Sequence, residues 1–240
     1  MANQISVAIP YLGYSRQDRK IKPRDPVSTR YLAQIFEAAK VNCVISMDVH
    51  NLAAFQNAFR CATEHLEARS VFMDYLLSNL NFDGEITIVS PDAGGMKRVE
   101  EFCDALSQRI SEPIQPAFME KIRKDEKLSR STLIGDVSNR TAIILDDMIT
   151  TGSTLDRTVN ACHQHGAKRI FAMATHGLFL ESANSLLENP FLEKIITTNS
   201  LPPPQFDPKL LSQKLVQLDI SPLFAKAIQR LHPLKGGQTG

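Results

Sequence analysis

Ile143-Ile144-Leu145-Asp146-Asp147-Met148-Ile149-Thr150-Thr151-Gly152-Ser153-Thr154-Leu155 decides the reading of this chain. An apolar, β-branched run of strand length ends in two adjacent carboxylates. A short loop of threonine, glycine and serine follows, and it opens an amphipathic stretch that predicts a helix over Thr154–His165. Gly166 then stands at the C′ position, where glycine enters the left-handed backbone region at least cost. The same alternation extends outward in both directions. Short β-branched runs predict strands at Ile5–Ile9, Cys43–Met47, Ile86–Ser90, Ala142–Leu145, Arg169–Ala174 and Ile195–Thr198. Amphipathic stretches between them predict helices over Ser28–Lys40, Glu64–Asn79 and Met96–Ile110. Strands joined by helical crossovers make parallel sheets, so the fold class is α/β. In such sheets ligands gather at the carboxyl ends of strands, which is where the acid pair and its loop lie. Two segments break the pattern. Leu201–Pro208 holds too many prolines for a helix or a central strand. Met119–Arg130 carries eight charged residues in twelve without an apolar period, and reads as an exposed hairpin or a mobile loop.

The composition excludes several function classes. The chain has 240 residues with 27 basic and 26 acidic side chains, a net charge of +1. That balance gives no case for a nucleic-acid partner or a membrane surface. Four cysteines (Cys43, Cys61, Cys103 and Cys162) form no C-x-x-C pair, which argues against a disulfide framework and against a zinc site. No apolar run reaches the roughly 18 residues that a membrane span requires. The opening Met1-Ala-Asn-Gln-Ile-Ser-Val lacks the basic region of a secretion signal. A soluble cytoplasmic protein is the expectation.

The loop has a chemistry of its own. A phosphate monoester needs many donors close together, and successive backbone N–H groups at a helix N-terminus supply them. Gly152 lets the backbone approach such a group, while Thr150, Thr151, Ser153 and Thr154 add hydroxyls. The carboxylates upstream can accept from sugar hydroxyls or hold water on a magnesium ion. The plainer alternative is that Ser153 or Thr154 is an ordinary N-cap and the acids merely end a strand.

This stretch resembles the ribose-5-phosphate-binding loop of the type I phosphoribosyltransferase fold. Further segments narrow the resemblance to the ribose-phosphate pyrophosphokinases. Pro10-Tyr11-Leu12-Gly13-Tyr14-Ser15-Arg16-Gln17-Asp18-Arg19-Lys20 is similar to that family's ATP-binding segment. Ser46-Met47-Asp48-Val49-His50 is similar to its strand-end histidine, and Val89-Ser90-Pro91-Asp92-Ala93-Gly94-Gly95 to its glycine-rich turn. Gly135-Asp136-Val137, the phosphate loop and Ala174-Thr175-His176-Gly177-Leu178-Phe179 follow in the family's order. The likeness runs from about Ile5 to the final helix near His232.

The resemblance implies transfer of a diphosphoryl group from ATP to ribose 5-phosphate, giving 5-phosphoribosyl 1-pyrophosphate and AMP. It implies that Arg16, Gln17, Asp18, Arg19 and His50 bind ATP, and that His50 and Asp92 hold its Mg2+. Asp146, Asp147, Thr150, Thr151, Gly152, Ser153 and Thr154 would bind ribose 5-phosphate. Lys121 and Arg123, after a strand at Ile114–Phe118, match the cations that begin a mobile catalytic loop in the family. A guanidinium fork at Arg16 suits a polyphosphate, and the Gln17 amide can both donate to and accept from adenine. His163 and His165 face different ways on their helix and suit a helix C-terminus better than a metal.

The implied architecture is two related phosphoribosyltransferase-like domains with parallel sheets. Residues 1–66 would be the remainder of an ATP-side domain, incomplete and keeping about two strands. Residues 67–221 would hold the ribose-phosphate site, and residues 222–240 would form a terminal helix and tail packing on the first domain. Departures from the family are Thr150 where an acid is usual, Ser153 in place of a second glycine, different wording over Asn51–Ala68, and no counterpart of the opening strands. The last feature leads to the expectation of weak ATP binding and a homo-oligomer. Two rival readings are a non-catalytic subunit of the same fold and a phosphoribosyltransferase, the latter opposed by the Arg16-Gln17 and His50 segments.

Overall fold

A computed structural model describes residues 4–80, 85–124 and 128–232, and among these the side chains of 121–124, 128–131 and 181 lie outside the description. In chain order the elements are β1 Ser6–Ile9, α1 Ser28–Ala38, β2 Cys43–Met47, α2 Leu52–Ala58, β3 Ala62–Leu66 and α3 Arg69–Asn79. Then come β4 Ile86–Ser90, α4 Met96–Ile110, β5 Gln115–Lys124, β6 Leu128–Ile134, β7 Thr141–Ile149 and α5 Ser153–Gln164. The chain ends with β8 Arg169–Gly177, α6 Asn184–Glu188, β9 Lys194–Thr198, α7 Pro208–Lys214, β10 Leu215–Leu218 and α8 Ser221–Leu231. They divide into two compact units, one of residues up to Ala68 plus those from Asp219 onward, the other of Arg69–Leu218.

The first unit is built on a parallel sheet in the order β1-β2-β3. Every residue of β2 is buried, as a continuous apolar run in the middle of a parallel sheet requires. Leu12, Ala33, Val44, Phe55 and Phe59 fill one core cluster, with the Phe55 and Phe59 rings edge to face at 5.3 Å. Helix α8 packs near β3, where Arg230 pairs with Glu64 at 2.6 Å. The helical pattern expected over Glu64–Asn79 is corrected here. Its first residues, Glu64 to Leu66, belong to β3, and the helix starts only at Arg69. Parallel pairing of Ala62–Leu66 with Cys43–Met47 overrides the local period, so this unit has three strands instead of two.

The second unit carries a seven-stranded sheet in the order β10-β9-β8-β7-β4-β5-β6, parallel throughout except that β6 runs antiparallel to β5. Strand β7 lies inside it, between β8 and β4. Eight of its nine residues are buried, with Asp146 the partly exposed one. Helix α5 buries Leu155, Val159 and Cys162, spaced i, i+4 and i+7 on one face. Gly166 does close that helix from the left-handed region, at φ +83°. Helix α4 buries Val99, Phe102, Cys103 and Leu106 in the same manner. Because β4 and β7 are parallel neighbours, their carboxyl ends sit side by side. The turn leading to α4 therefore opens beside the loop leading to α5. Among the described residues no helix is long and apolar enough to cross a membrane.

Candidate active site

The acid pair ends up half inside the protein. Asp147 is 5% exposed, whereas Asp146 keeps partial contact with solvent. The Asp147 N–H donates to Asp146 Oδ1 at 2.8 Å, which fixes the direction of that carboxylate. Desolvation, followed by repulsion from Asp147, pushes the Asp146 carboxyl above the usual carboxylate range, against the opposing pull of Arg98. Arg98, on the first turn of α4, places Nη1 3.5 Å from Asp146 Oδ1 and Nη2 3.9 Å from Asp147 Oδ2. The motif reading passed over this arginine. The signal that could have found it is a cation in a helix's first turn, where the macrodipole disfavours positive charge.

The loop after β7 runs directly into α5. Gly152 is the N-cap of α5, at φ +73°, and no side chain caps the helix. Neither Ser153 nor Thr154 therefore fills the capping role that was the plainer alternative. Thr151 Oγ1 and Ser153 Oγ lie 3.1 Å apart on the exposed lip, and Thr154 Oγ1 accepts from Arg157 Nη2 at 3.5 Å. The loop is braced from behind. Leu178 and Phe179 donate their N–H groups to the Ile149 carbonyl, and Leu180 donates to that of Thr150. A Cβ on Gly152 would come 3.0 Å from Leu186 Cβ, so this position is crowded as well as left-handed. Gly152→Ala is expected to cost about 1–2 kcal/mol from the backbone conformation alone. It should also displace the loop, so calorimetry would show weaker ribose 5-phosphate binding beside a lower melting temperature.

The neighbouring turn after β4 is equally specified. Ser90 Oγ donates to the Asp92 carbonyl at 2.6 Å, and Asp92 Oδ1 accepts from the Gly95 N–H at 3.0 Å. A Cβ on Gly95 would sit 2.5 Å from Ser90 Oγ, which explains why glycine is needed there. The result is an exposed Asp92 whose carboxylate has a fixed direction.

In the first unit the two segments implied in ATP binding meet. Thr29, at the start of α1, donates its hydroxyl to the carbonyls of Tyr14 (2.8 Å) and Gln17 (3.3 Å), which shapes the Arg16–Arg19 turn. Tyr14 takes φ +64° to make that turn. Asn51 accepts from the Ala54 N–H as N-cap of α2, and its amide donates to Asp18 Oδ2 at 2.8 Å. His50, exposed at the end of β2, is thereby tied in sequence to the same turn. Asp48 before it holds φ +37° and accepts the Ala68 N–H at 3.1 Å. Arg16, Gln17 and Arg19 are exposed. His50 stands in the first unit and Asp92 in the second, as members of separately described halves.

The charged stretch forms a hairpin. Strand β5 runs on past Phe118 to Lys124, so Lys121 and Arg123 lie within it, paired with Ser131 and Ser129 of β6. Their side chains, and residues 125–127, fall outside the described residues. His163 stacks on Phe191 with ring centroids 3.6 Å apart, and His165 Nδ1 meets the Ala161 carbonyl at 2.8 Å. Both histidines are thus engaged at the end of α5.

Residues 104–236 match the family described as phosphoribosyl synthetase-associated domain, and residues 1–39 match the N-terminal domain of ribose phosphate pyrophosphokinase. The ribose-phosphate pyrophosphokinase 4 of Saccharomyces cerevisiae is 37% identical over 232 residues, covering 96% of this chain and 67% of that protein. The ribose-phosphate pyrophosphokinase of Fusobacterium nucleatum is 35% identical over 231 residues, or 96% and 70% of the two chains. Among solved structures, the phosphoribosylpyrophosphate synthetase from Mycobacterium smegmatis superposes with a TM-score of 0.83 at 31% identity, over 96% of this chain and 72% of that one. With the acid pair, the loop that follows it and the glycine-rich turn placed near the carboxyl ends of neighbouring strands in an α/β sheet of this kind, the chain belongs to the ribose-phosphate pyrophosphokinase family.

Proposed function

We propose that this chain transfers the diphosphoryl group of ATP to ribose 5-phosphate, giving 5-phosphoribosyl 1-pyrophosphate and AMP. The observation that carries the reading is the run from Asp146 to Thr154, two carboxylates near the carboxyl end of β7 followed by a hydroxyl-rich loop and the start of α5, which no side chain caps. Asp146 and Asp147 accept from the ribose hydroxyls. Thr150, Thr151, Gly152, Ser153 and Thr154 anchor the 5-phosphate. The anomeric hydroxyl oxygen then forms a bond to the β-phosphorus of ATP, the bond to the α,β-bridging oxygen breaks, AMP leaves and the hydroxyl proton passes to solvent.

Such a displacement depends on positioning and charge more than on covalent catalysis. Arg16, Gln17, Asp18 and Arg19 orient ATP, and Lys121 with Arg123 meet the charge on the transferring group. Magnesium prefers oxygen ligands, keeps several waters, and is typically held by one or two carboxylates plus substrate phosphates. The exposed, directed Asp92 carboxylate fits that demand. Among the described residues no group of three or more His, Cys, Asp or Glu is gathered into a cage of its own. When bound, the ion would offset the charge of the ATP phosphates. Exposed Tyr31 and Ile35, one helical turn apart on α1, support association between copies of the chain in the cytoplasm.

The test is direct. The purified chain, supplied with magnesium, ATP and ribose 5-phosphate, should release AMP and 5-phosphoribosyl 1-pyrophosphate in equal amounts. AMP release that does not require ribose 5-phosphate, or no turnover at all, would overturn the reading.

A further inference from the structure

We infer that Arg98 is a positioning residue for the ribose 5-phosphate site, acting through Asp146 and Asp147, which its guanidinium bridges. The inference rests on the proposed function and assigns this site a part that its motif does not contain.

Three observations carry it. The first is reach. Arg98 comes from a different element, α4, yet its two terminal nitrogens approach different carboxylates, Nη1 towards Asp146 at 3.5 Å and Nη2 towards Asp147 at 3.9 Å. A planar fork can address two acids at once in this way, whereas an ammonium reaches them as a single point charge. The second is topology. Strands β4 and β7 are adjacent and parallel, so a side chain on the first turn of α4 is delivered to the carboxyl end of β7. The third is local cost. The first turn of α4 holds no acidic residue and carries Lys97 and Arg98 instead, against the positive end of the helix dipole. A cation there forgoes about 0.3–1 kcal/mol. Places where a sequence breaks a local rule are expected at functional sites.

Two adjacent carboxylates repel each other and drift in orientation unless something opposes that repulsion. Asp146 has its own tie to the backbone, through the Asp147 N–H. A guanidinium shared between them holds both in the direction a vicinal diol needs. Arg98 is 36% exposed at its side chain, so it has room to shift as the sugar enters.

The experiment is calorimetric titration of ribose 5-phosphate, with magnesium present, into the wild type, R98A, R98K, D146N and the double variant R98A/D146N. Steady-state kinetics in both substrates and a melting curve for each protein complete it. R98A is expected to weaken ribose 5-phosphate binding about ten- to a hundred-fold, the range for losing a charged partner. The KM for ATP should stay constant and the melting temperature should stay close to wild type. R98K should recover part of the affinity. The double variant should lose less than the product of the two single losses, because the residues act as a unit. A purely structural arginine would lower the melting temperature and leave the ribose 5-phosphate affinity alone, which overturns the inference. Tighter binding by R98A would make Arg98 a competitor for the acids and would equally overturn it. If the wild type binds and R98A and R98K match it, the inference falls and the proposed function stands. A wild type that takes no ribose 5-phosphate removes both.

Discussion

Replacing Lys121 with alanine is expected to lower turnover about a hundred- to a thousand-fold, the usual consequence of removing one donor aimed at transition-state charge. The affinity for ribose 5-phosphate should hardly change. Lys121 and Arg123 are two residues apart on β5, paired with Ser131 and Ser129 across the hairpin with β6. The resemblance of this segment to the family's catalytic cations is what assigns them to the transferring group. Charge on that group develops only as the bond to AMP breaks, so a cation serving it contributes little to the ground state. Its loss should therefore appear in kcat and in kcat/KM alike. Following AMP release with both substrates saturating is the measurement. A normal kcat with a raised KM would move Lys121 to ground-state binding.

Asp147→Ala is the second large effect. This carboxylate is 5% exposed and stands inside β7, two residues before its end at Ile149, in a strand whose other residues are almost all buried. A charged hydrogen-bonding partner lost from a desolvated site costs about 1.5–3 kcal/mol, roughly ten- to a hundred-fold in affinity. Binding of ribose 5-phosphate should fall by that factor in calorimetry. ATP binding should be spared, because Arg16, Gln17, Asp18, Arg19 and His50, proposed to bind ATP, belong to the other compact unit. Unchanged ribose 5-phosphate binding in the variant would mean that the loop after β7 is not the sugar site. Together with Lys121→Ala this makes a pair of opposite signatures, one in kcat and the other in affinity.

Much of the architecture was legible before any coordinates, and for an identifiable reason. Strands such as Cys43–Met47 and Ile86–Ser90 lie inside parallel sheets, buried on both faces, so their sequences are uninterrupted apolar runs with clear ends. Helices α4 and α5 each bury one face, and their period of 3.6 shows in Val99, Phe102, Leu106 and in Leu155, Val159, Cys162. The proposed phosphate loop stood out in the sequence for a different reason. It is local, so that the acids, the glycine at positive φ and the hydroxyls are consecutive in the chain, and the chemistry is written in one stretch of nine residues from Asp146 to Thr154.

What the sequence by itself could not determine depends on partners far away along the chain. Ala62–Leu66 is a strand because β2 lies beside it to be paired, and nothing in Glu64-His65-Leu66 alone distinguishes that from the start of the following helix. The extension of β5 through Lys124 is decided in the same way, by β6 returning antiparallel alongside it. The tie between Asn51 and Asp18, 33 residues apart, joins two motifs that the sequence presents as separate. Arg98 belongs with Asp146 and Asp147 only because β4 and β7 are neighbours in the sheet, across roughly fifty intervening residues whose loop closure adds little entropy cost but leaves no trace in local pattern. The sequence alone determined which stretches could be strands, helices and a phosphate loop, since those follow from near-neighbour periodicity and backbone freedom. Tertiary structure decided which of them stand together, because strand pairing and charge pairing act through space and not along the chain.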